Sequence, residues 1–143
     1  MLGLAAQWLG VNQTQANSVA PILISEEQGR HKSTFCRMLM PPQLARYYSD
    51  NLKLTAQGNP ERLLAEMGLL NMDEFDKFGA QKMPLLKNLM QMSSLNICKA
   101  YQKNFRSLPR IASFIGTSNR TDLLCDPTGS RRFICIEAEH DID

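Results

Sequence analysis

The chain of 143 residues predicts an α/β domain built on a mainly parallel sheet of about five strands. Short apolar runs of strand length, at 21–25, 69–73, 111–117 and 132–137, alternate with stretches of helical character. Such alternation is how crossover connections between parallel strands read in sequence. The run at 69–73 is apolar up to an acidic end, as expected of a strand buried on both faces. Several runs close on polar or charged residues, and ligands of open α/β sheets sit at the carboxyl ends of the strands.

The elements follow in order. Residues 1–11 are apolar and place Leu2, Ala5, Ala6 and Leu9 on one helical face. They carry no charged leader and no clear cleavage site, so a helix is expected rather than a signal peptide. A polar spacer, 12–17, precedes the strand 21–25. The helix expected over 32–40 is stopped by Pro41-Pro42, because proline cannot continue it. Residues 46–50 read as a second strand. Asn59-Pro60 before 61–67 marks a helix start, with a capping residue and then proline in the first turn. After strand 69–73, the stretch 79–92 sets Met83, Leu86, Leu89 and Met90 along one side, with Lys82 and Lys87 off it. Those methionines are read as core. A hairpin turning at 102–104 and the strands 111–117 and 132–137 complete the sheet region.

Chemistry concentrates first at Ile22 to Thr34, where a strand enters a basic, hydroxyl-rich turn and then a helix. Backbone N–H groups at a helix start point at an anion, a lysine adds a point charge, and the next hydroxyl can hold Mg²⁺. Gln28, Gly29, Arg30, His31, Lys32, Ser33 and Thr34 are therefore the candidate nucleotide-binding residues. A loop of this type takes glycine at both ends, where Glu26 and His31 stand here, with Gly29 between them. A helical conformation at His31 leaves the anion site intact, and a protonated imidazole adds positive charge. Glu26 repels phosphate unless it turns outward. The expectation is a socket of weaker affinity than an all-glycine loop provides.

About forty residues on, Gly68 to Asp76 offers Asp73 and Glu74 at a strand end. Two such acids divide the work, Asp73 orienting hydrated Mg²⁺ and Glu74 polarising water; equally, acids favour the start of a helix. Arg110 to Asn119 is another strand with a polar end. Asn119 is placed to bond an attacking water or a phosphate, or to form part of a turn. Arg131 and Arg132 precede the last strand, and an arginine so placed stabilises phosphoryl charge, often from a neighbouring subunit, or is simply a surface residue.

Composition narrows the partners. The hydrophobic content is 43%, and no apolar stretch approaches the roughly 18 residues of a membrane span. The cysteines, at 36, 98, 125 and 135, form no C-x-x-C pair and no cluster with histidine, so structural zinc is not expected. Reduced thiols and a cytoplasmic location are the default. Net charge is only +2, yet eight Lys or Arg and no Asp or Glu lie between Lys77 and Arg120. A one-sign stretch produces a positive face that suits a polyanion, unless its charges are balanced elsewhere in a larger protein. Within it, Lys99, Tyr101, Lys103, Phe105 and Arg106 alternate basic and aromatic side chains around the hairpin turn. Cations meet phosphates and rings stack on bases; the rings can equally pack on the sheet with the cations solvated.

Gln28-Gly29 with Lys32-Ser33-Thr34-Phe35, Asp73-Glu74, the Phe114 to Asn119 segment Phe-Ile-Gly-Thr-Ser-Asn, and Asp126 followed by Thr-Gly-Ser-Arg-Arg-Phe133 together resemble the virulence-associated protein E family. The likeness runs from about residue 18 to residue 137. It implies a P-loop NTPase, an AAA+-like three-layer sandwich, related to superfamily 3 helicases and to primase-helicases of phages and mobile elements. ATP binding, Mg²⁺-dependent hydrolysis, coupling to single-stranded or replicating DNA and assembly into a ring are what it implies for function. Position by position, it makes Lys32 the phosphate lysine, Ser33 the magnesium hydroxyl, Asp73 and Glu74 the acidic pair, Asn119 the polar sensor, and Arg131 or Arg132 the arginine finger.

The expected organisation is one ATPase domain over 1–143: a helix and spacer at 1–17, a core at 18–137 and an acidic tail at 138–143. With no helical lid after the last strand, an excerpt of a larger polypeptide is expected. The leading functional expectation is an ATPase motor core acting on nucleic acid. The alternative is a nucleotide-binding, DNA-binding module whose degenerate loop turns over weakly or not at all. A small-molecule kinase is disfavoured, because no acceptor pocket is recognisable and the acid pair with Asn119 points to hydrolysis.

Overall fold

The structure is a computed structural model that describes residues 2–10, 17–98, 104–120 and 131–140. Strands β1 (Ala20–Ile24), β2 (Tyr48–Ser49), β3 (Leu69–Met72), β6 (Ser113–Ser118) and β7 (Phe133–Glu137) form one sheet in the order β2-β3-β6-β1-β7. Every neighbouring pair in it is parallel. Strands β4 (Ser94–Cys98) and β5 (Phe105–Pro109) pair antiparallel as a separate ribbon, with Ser94 opposite Pro109 and Cys98 opposite Phe105. The expected hairpin is thus present. Its turn falls outside the described residues, as do Lys99, Tyr101 and Lys103.

The strands are apolar because helices cover the sheet on both sides. Successive side chains alternate between the faces. Ile22 and Ile24 of β1, Leu70 and Met72 of β3 and Phe114 of β6 face one core, shared with Leu64 of α3 (Pro60–Glu66) and Leu86, Leu89 and Met90 of α4 (Met83–Gln91). Leu23, Leu69 and Ile115 face a second core, with Cys36 of α2 (Lys32–Met38) and, partly buried, Leu4 and Trp8 of α1 (Leu2–Leu9). Gly116 permits the tight spacing of β6 against its neighbours. A Cβ there would lie 2.6 Å from Ile22 Cδ1 and 3.3 Å from the Met72 carbonyl oxygen.

Four expectations need correction. The residues of α1 that pack on the core are Leu4 and Trp8; of the expected stripe, Ala5 is exposed and Leu9 is 77% exposed. In a segment apolar on all sides the pattern does not select a face, and here Trp8 Nε1 does so by donating to the Gly68 carbonyl at 3.0 Å. The segment 46–50 contributes only Tyr48–Ser49 as strand, because a 3₁₀ helix occupies Pro42–Tyr47. Helix α2 ends at Met38, a turn before Pro41. Asn59 precedes α3 in a left-handed conformation, and its side chain makes no capping bond; its carbonyl accepts from the N–H groups of Arg62 and Leu63 instead.

Arg110 is the least expected core residue, at 1% exposure. Its guanidinium donates to the carbonyls of Met90 at 2.8 Å and Asn17 at 2.6 Å, and more weakly to Leu89 at 3.5 Å. The cation therefore sits on the negative, carbonyl-rich end of α4. Burial lowers its pKa to about 10.

Candidate functional site

Parallel strands bring their carboxyl ends to one rim, and the registers Ile24 with Ser118 and Met72 with Gly116 bring β1, β6 and β3 to it together. The chain leaves β1 towards β3 and β6 on one side and returns as β7 on the other. That reversal of strand order opens a crevice. A cleft of about 430 Å³ lies there, lined by residues 28–34, by Asp73 and Glu74, and by Thr117, Ser118 and Asn119.

Lys32 stands at its centre, 7% exposed although it is a lysine. Its ammonium donates to Asn119 Oδ1 at 2.8 Å, Ser25 Oγ at 3.0 Å and the Glu27 carbonyl at 3.2 Å, with the Ser25 carbonyl at 3.5 Å. Its pKa is lowered, first by burial and then by the Arg30 charge, while Asp73 opposes both. Ser33 Oγ donates to Asp73 Oδ1 at 2.8 Å. Thr117 Oγ1 donates to the same oxygen at 2.6 Å and accepts the Glu74 N–H at 3.3 Å. Ser118, on the other face of β6, donates to Asp76 Oδ1 at 2.7 Å. Three consecutive residues of β6 and its end, 117 to 119, thus hold three separate parts of the rim.

The loop itself is tightly turned. Gly29 has φ 89°, and His31 has φ 52° and ψ 21°. The helical conformation expected at His31 is not the one it adopts: it takes the left-handed geometry of the glycine it replaces. Glu26 is exposed. Arg30 folds back, pairing with Glu27 at 2.8 Å and donating to the carbonyls of Ala138 and Glu139 just beyond β7. The loop is thereby strapped to the end of the outer strand.

Of the residues singled out in sequence, Lys32, Ser33, Asp73, Glu74 and Asn119 meet in this cleft, with Gln28 to His31 and Thr34 around them. Asp73 and Glu74 do precede a 3₁₀ helix, Phe75–Lys77, but the Asp73 carboxylate turns to Ser33 and Thr117. Glu74 pairs with Lys77 at 2.6 Å on the exposed side. Arg131 and Arg132 are not brought to the cleft of their own chain. They precede β7, and Arg132 bonds through its carbonyl to the Ala20 N–H at the opposite, amino edge of the sheet. Phe105 is 73% exposed and does not pack on the sheet; Arg106, also exposed, follows it on β5 and points to the other face of the ribbon. Sequence reasoning passed over Ser25 and Thr117. The signal for Thr117 was a hydroxyl in the last two residues of β6, just before Asn119.

Fold and cleft define a mainly parallel α/β domain with a lysine-, hydroxyl- and carboxylate-lined crevice at the carboxyl edge of its sheet. The family profile of the virulence-associated protein E-like domain matches residues 10–143, and the chain belongs to that family. Among solved structures it is similar to the apo structure of the NrS-1 C-terminal region, residues 305–718, with a TM-score of 0.64 and 23% identity over 98% of this chain. The A form of the same apo region gives 0.61, again with 23% identity and 98% coverage. The chain spans only 35% and 33% of those two chains. At that identity the likeness extends to the fold. No curated protein matches the chain significantly.

Proposed function

We propose that this chain is a P-loop ATPase core of helicase or primase-helicase type that binds ATP with Mg²⁺, hydrolyses it and acts on nucleic acid. One observation carries the reading: Lys32 on Asn119 and Ser33 on Asp73, at 2.8 Å each, place a cation, a hydroxyl–carboxylate pair and a polar amide around one cleft. Membership of the virulence-associated protein E-like family supports a role in phage or mobile-element nucleic-acid metabolism.

In this reading Lys32 exchanges its neutral acceptors for β- and γ-phosphate oxygens, gaining charge-assisted bonds in a partly dry site. N–H groups of the loop complete the cradle. Ser33 and Asp73 fit a hard cation. Mg²⁺ takes one or two protein oxygens and completes its shell with water and substrate phosphates, and no group of three His, Cys, Asp or Glu forms a protein cage among the described residues. Bound there, Mg²⁺ would neutralise charge on the transferring phosphate. Glu74, released from Lys77, orients and polarises the attacking water, and Asn119 bonds it or the γ-phosphate. Arg131 or Arg132, at the amino edge, acts on the cleft of an adjacent subunit. The exposed Phe105 and Arg106 of the ribbon, between the acid-bearing strand and β6, offer the contact to single-stranded or replicating DNA.

A second reading, a binding module without turnover, draws on two observations: His31 carries left-handed strain beside the lysine, and Glu74 is held by Lys77. Calorimetric titration with Mg-ATP, followed by DNA-stimulated phosphate release, tests both. Lys32→Ala should abolish binding in either case. Glu74→Gln should keep binding and stop release under the first reading alone. A folded protein giving no heat at millimolar nucleotide disposes of both.

A further inference from the structure

Asp73 and Glu74 lie beyond the last ladder position of β3, at Met72, so no strand pairing fixes them. Glu74 moreover holds φ 51° and ψ 54°, a conformation that costs a residue with a Cβ about 1 kcal/mol or more. Something must hold both acids in place. The Thr117 hydroxyl touches the two of them, donating to Asp73 Oδ1 at 2.6 Å and accepting the Glu74 N–H at 3.3 Å. Thr117 is 3% exposed, sits within the β6 ladder region and, being β-branched, has few rotamers to choose from. Its hydroxyl cannot reach both partners by accident of mobility.

We infer that Thr117 is a positioning residue that sets the Asp73 carboxylate for Mg²⁺ and the Glu74 backbone for water, and that it rests on the ATPase reading above. Ser33 would hold the cation through an oxygen lone pair while still donating to Asp73, and Thr117 supplies the second donor to that carboxylate from within β6. Asn119, just past the end of β6, holds Lys32. The end of β6 therefore sets the spacing between the phosphate lysine and the acids. In this reading Thr117 acts through Asp73 and Glu74.

The test compares wild type with Thr117→Val, which keeps the volume and deletes the hydroxyl, and Thr117→Ser, which keeps the hydroxyl. Nucleotide binding is titrated against Mg²⁺ concentration and in EDTA, and phosphate release is followed at saturating ATP. Removing an outer partner of a metal ligand costs about 10- to 100-fold in metal affinity or activity. Thr117→Val should raise the half-saturating Mg²⁺ and lower kcat by that order, leave metal-free ATP affinity within about twofold, and be rescued by Thr117→Ser. If Thr117→Val does not fold, Thr117→Ala gives the same comparison. An unchanged Mg²⁺ requirement in a folded hydroxyl-less variant overturns the role of Thr117 while leaving the ATPase reading intact. Wild type that binds no Mg-ATP overturns that reading, and this inference with it.

Discussion

His31 is the residue at which this loop departs most from an easy geometry. Its φ of 52° lies where an L side chain crowds the following carbonyl. His31→Gly should therefore stabilise the fold by about 1 kcal/mol, raising Tm by roughly 2–5 °C in a thermal melt. Tighter approach of the loop to phosphate should accompany it as higher Mg-ATP affinity. Lys32 supplies a pH dependence. Burial and then Arg30 hold its pKa below the ordinary 10.5. A cation with a depressed folded pKa costs stability in its charged form. That cost is fully present below the folded pKa and is relieved as pH rises through the window up to 10.5. Phosphate needs the ammonium, so Mg-ATP affinity should begin to fall on the alkaline side before an ordinary lysine would deprotonate. Titrations across that range, with Lys32→Arg as the variant that keeps its charge, read this directly.

Helix α4 and strand β6 show how single side chains join elements. The last carbonyls of α4 have no partner in the helix, and Arg110, immediately after β5, supplies one while also fastening Asn17 ahead of β1. Arg110→Ala strands these buried acceptors and should cost about 3 kcal/mol or more, seen as a lower urea midpoint. Arg110→Lys, a point charge without the planar fork, should fall between. The α1 helix is the counterexample to reading elements by pattern. With apolar residues on several sides, its orientation is settled by Trp8 reaching Gly68, where a glycine Cβ would come within 3.1 Å of the indole.

Across the chain, a net charge of +2 conceals the acid-free run from Lys77 to Arg120, and the separate ribbon β4–β5 carries part of that run, with Leu95 anchored in the core. Phe105 and Arg106 point to opposite sides of the ribbon, so a strand of DNA would wrap it or meet one side only. Phe105→Ala should weaken single-stranded DNA binding by about 1–3 kcal/mol with little change in salt dependence. Arg106→Ala should instead flatten the slope of log K against log salt by about one ion. Fluorescence anisotropy at several salt concentrations separates the two; equal slopes in wild type and Arg106→Ala would place the phosphate path elsewhere. No helix of the described residues is long and apolar enough to cross a membrane.

Local order in the chain was enough to announce a parallel α/β sheet, because strands buried on both faces must be apolar and parallel strands must alternate with crossovers. It also marked Lys32 and Ser33 at the helix start after β1 and Asp73 and Asn119 at strand ends, since a parallel sheet gathers its carboxyl ends, and the helix starts that follow them, on one rim. Their meeting at hydrogen-bonding distance was another matter, because it depends on β6 lying between β1 and β3 and on the Met72–Gly116 register. Pairings between residues some forty positions apart leave no periodic trace in either partner. For the same reason the sequence left no sign of the Thr117 bond to Asp73 or of the carbonyls around Arg110, and left Arg131 and Arg132 open between an arginine finger and surface residues. Which acceptor a hydroxyl finds, which carbonyls surround a guanidinium, and which edge of the sheet an arginine occupies follow from the packing of distant segments.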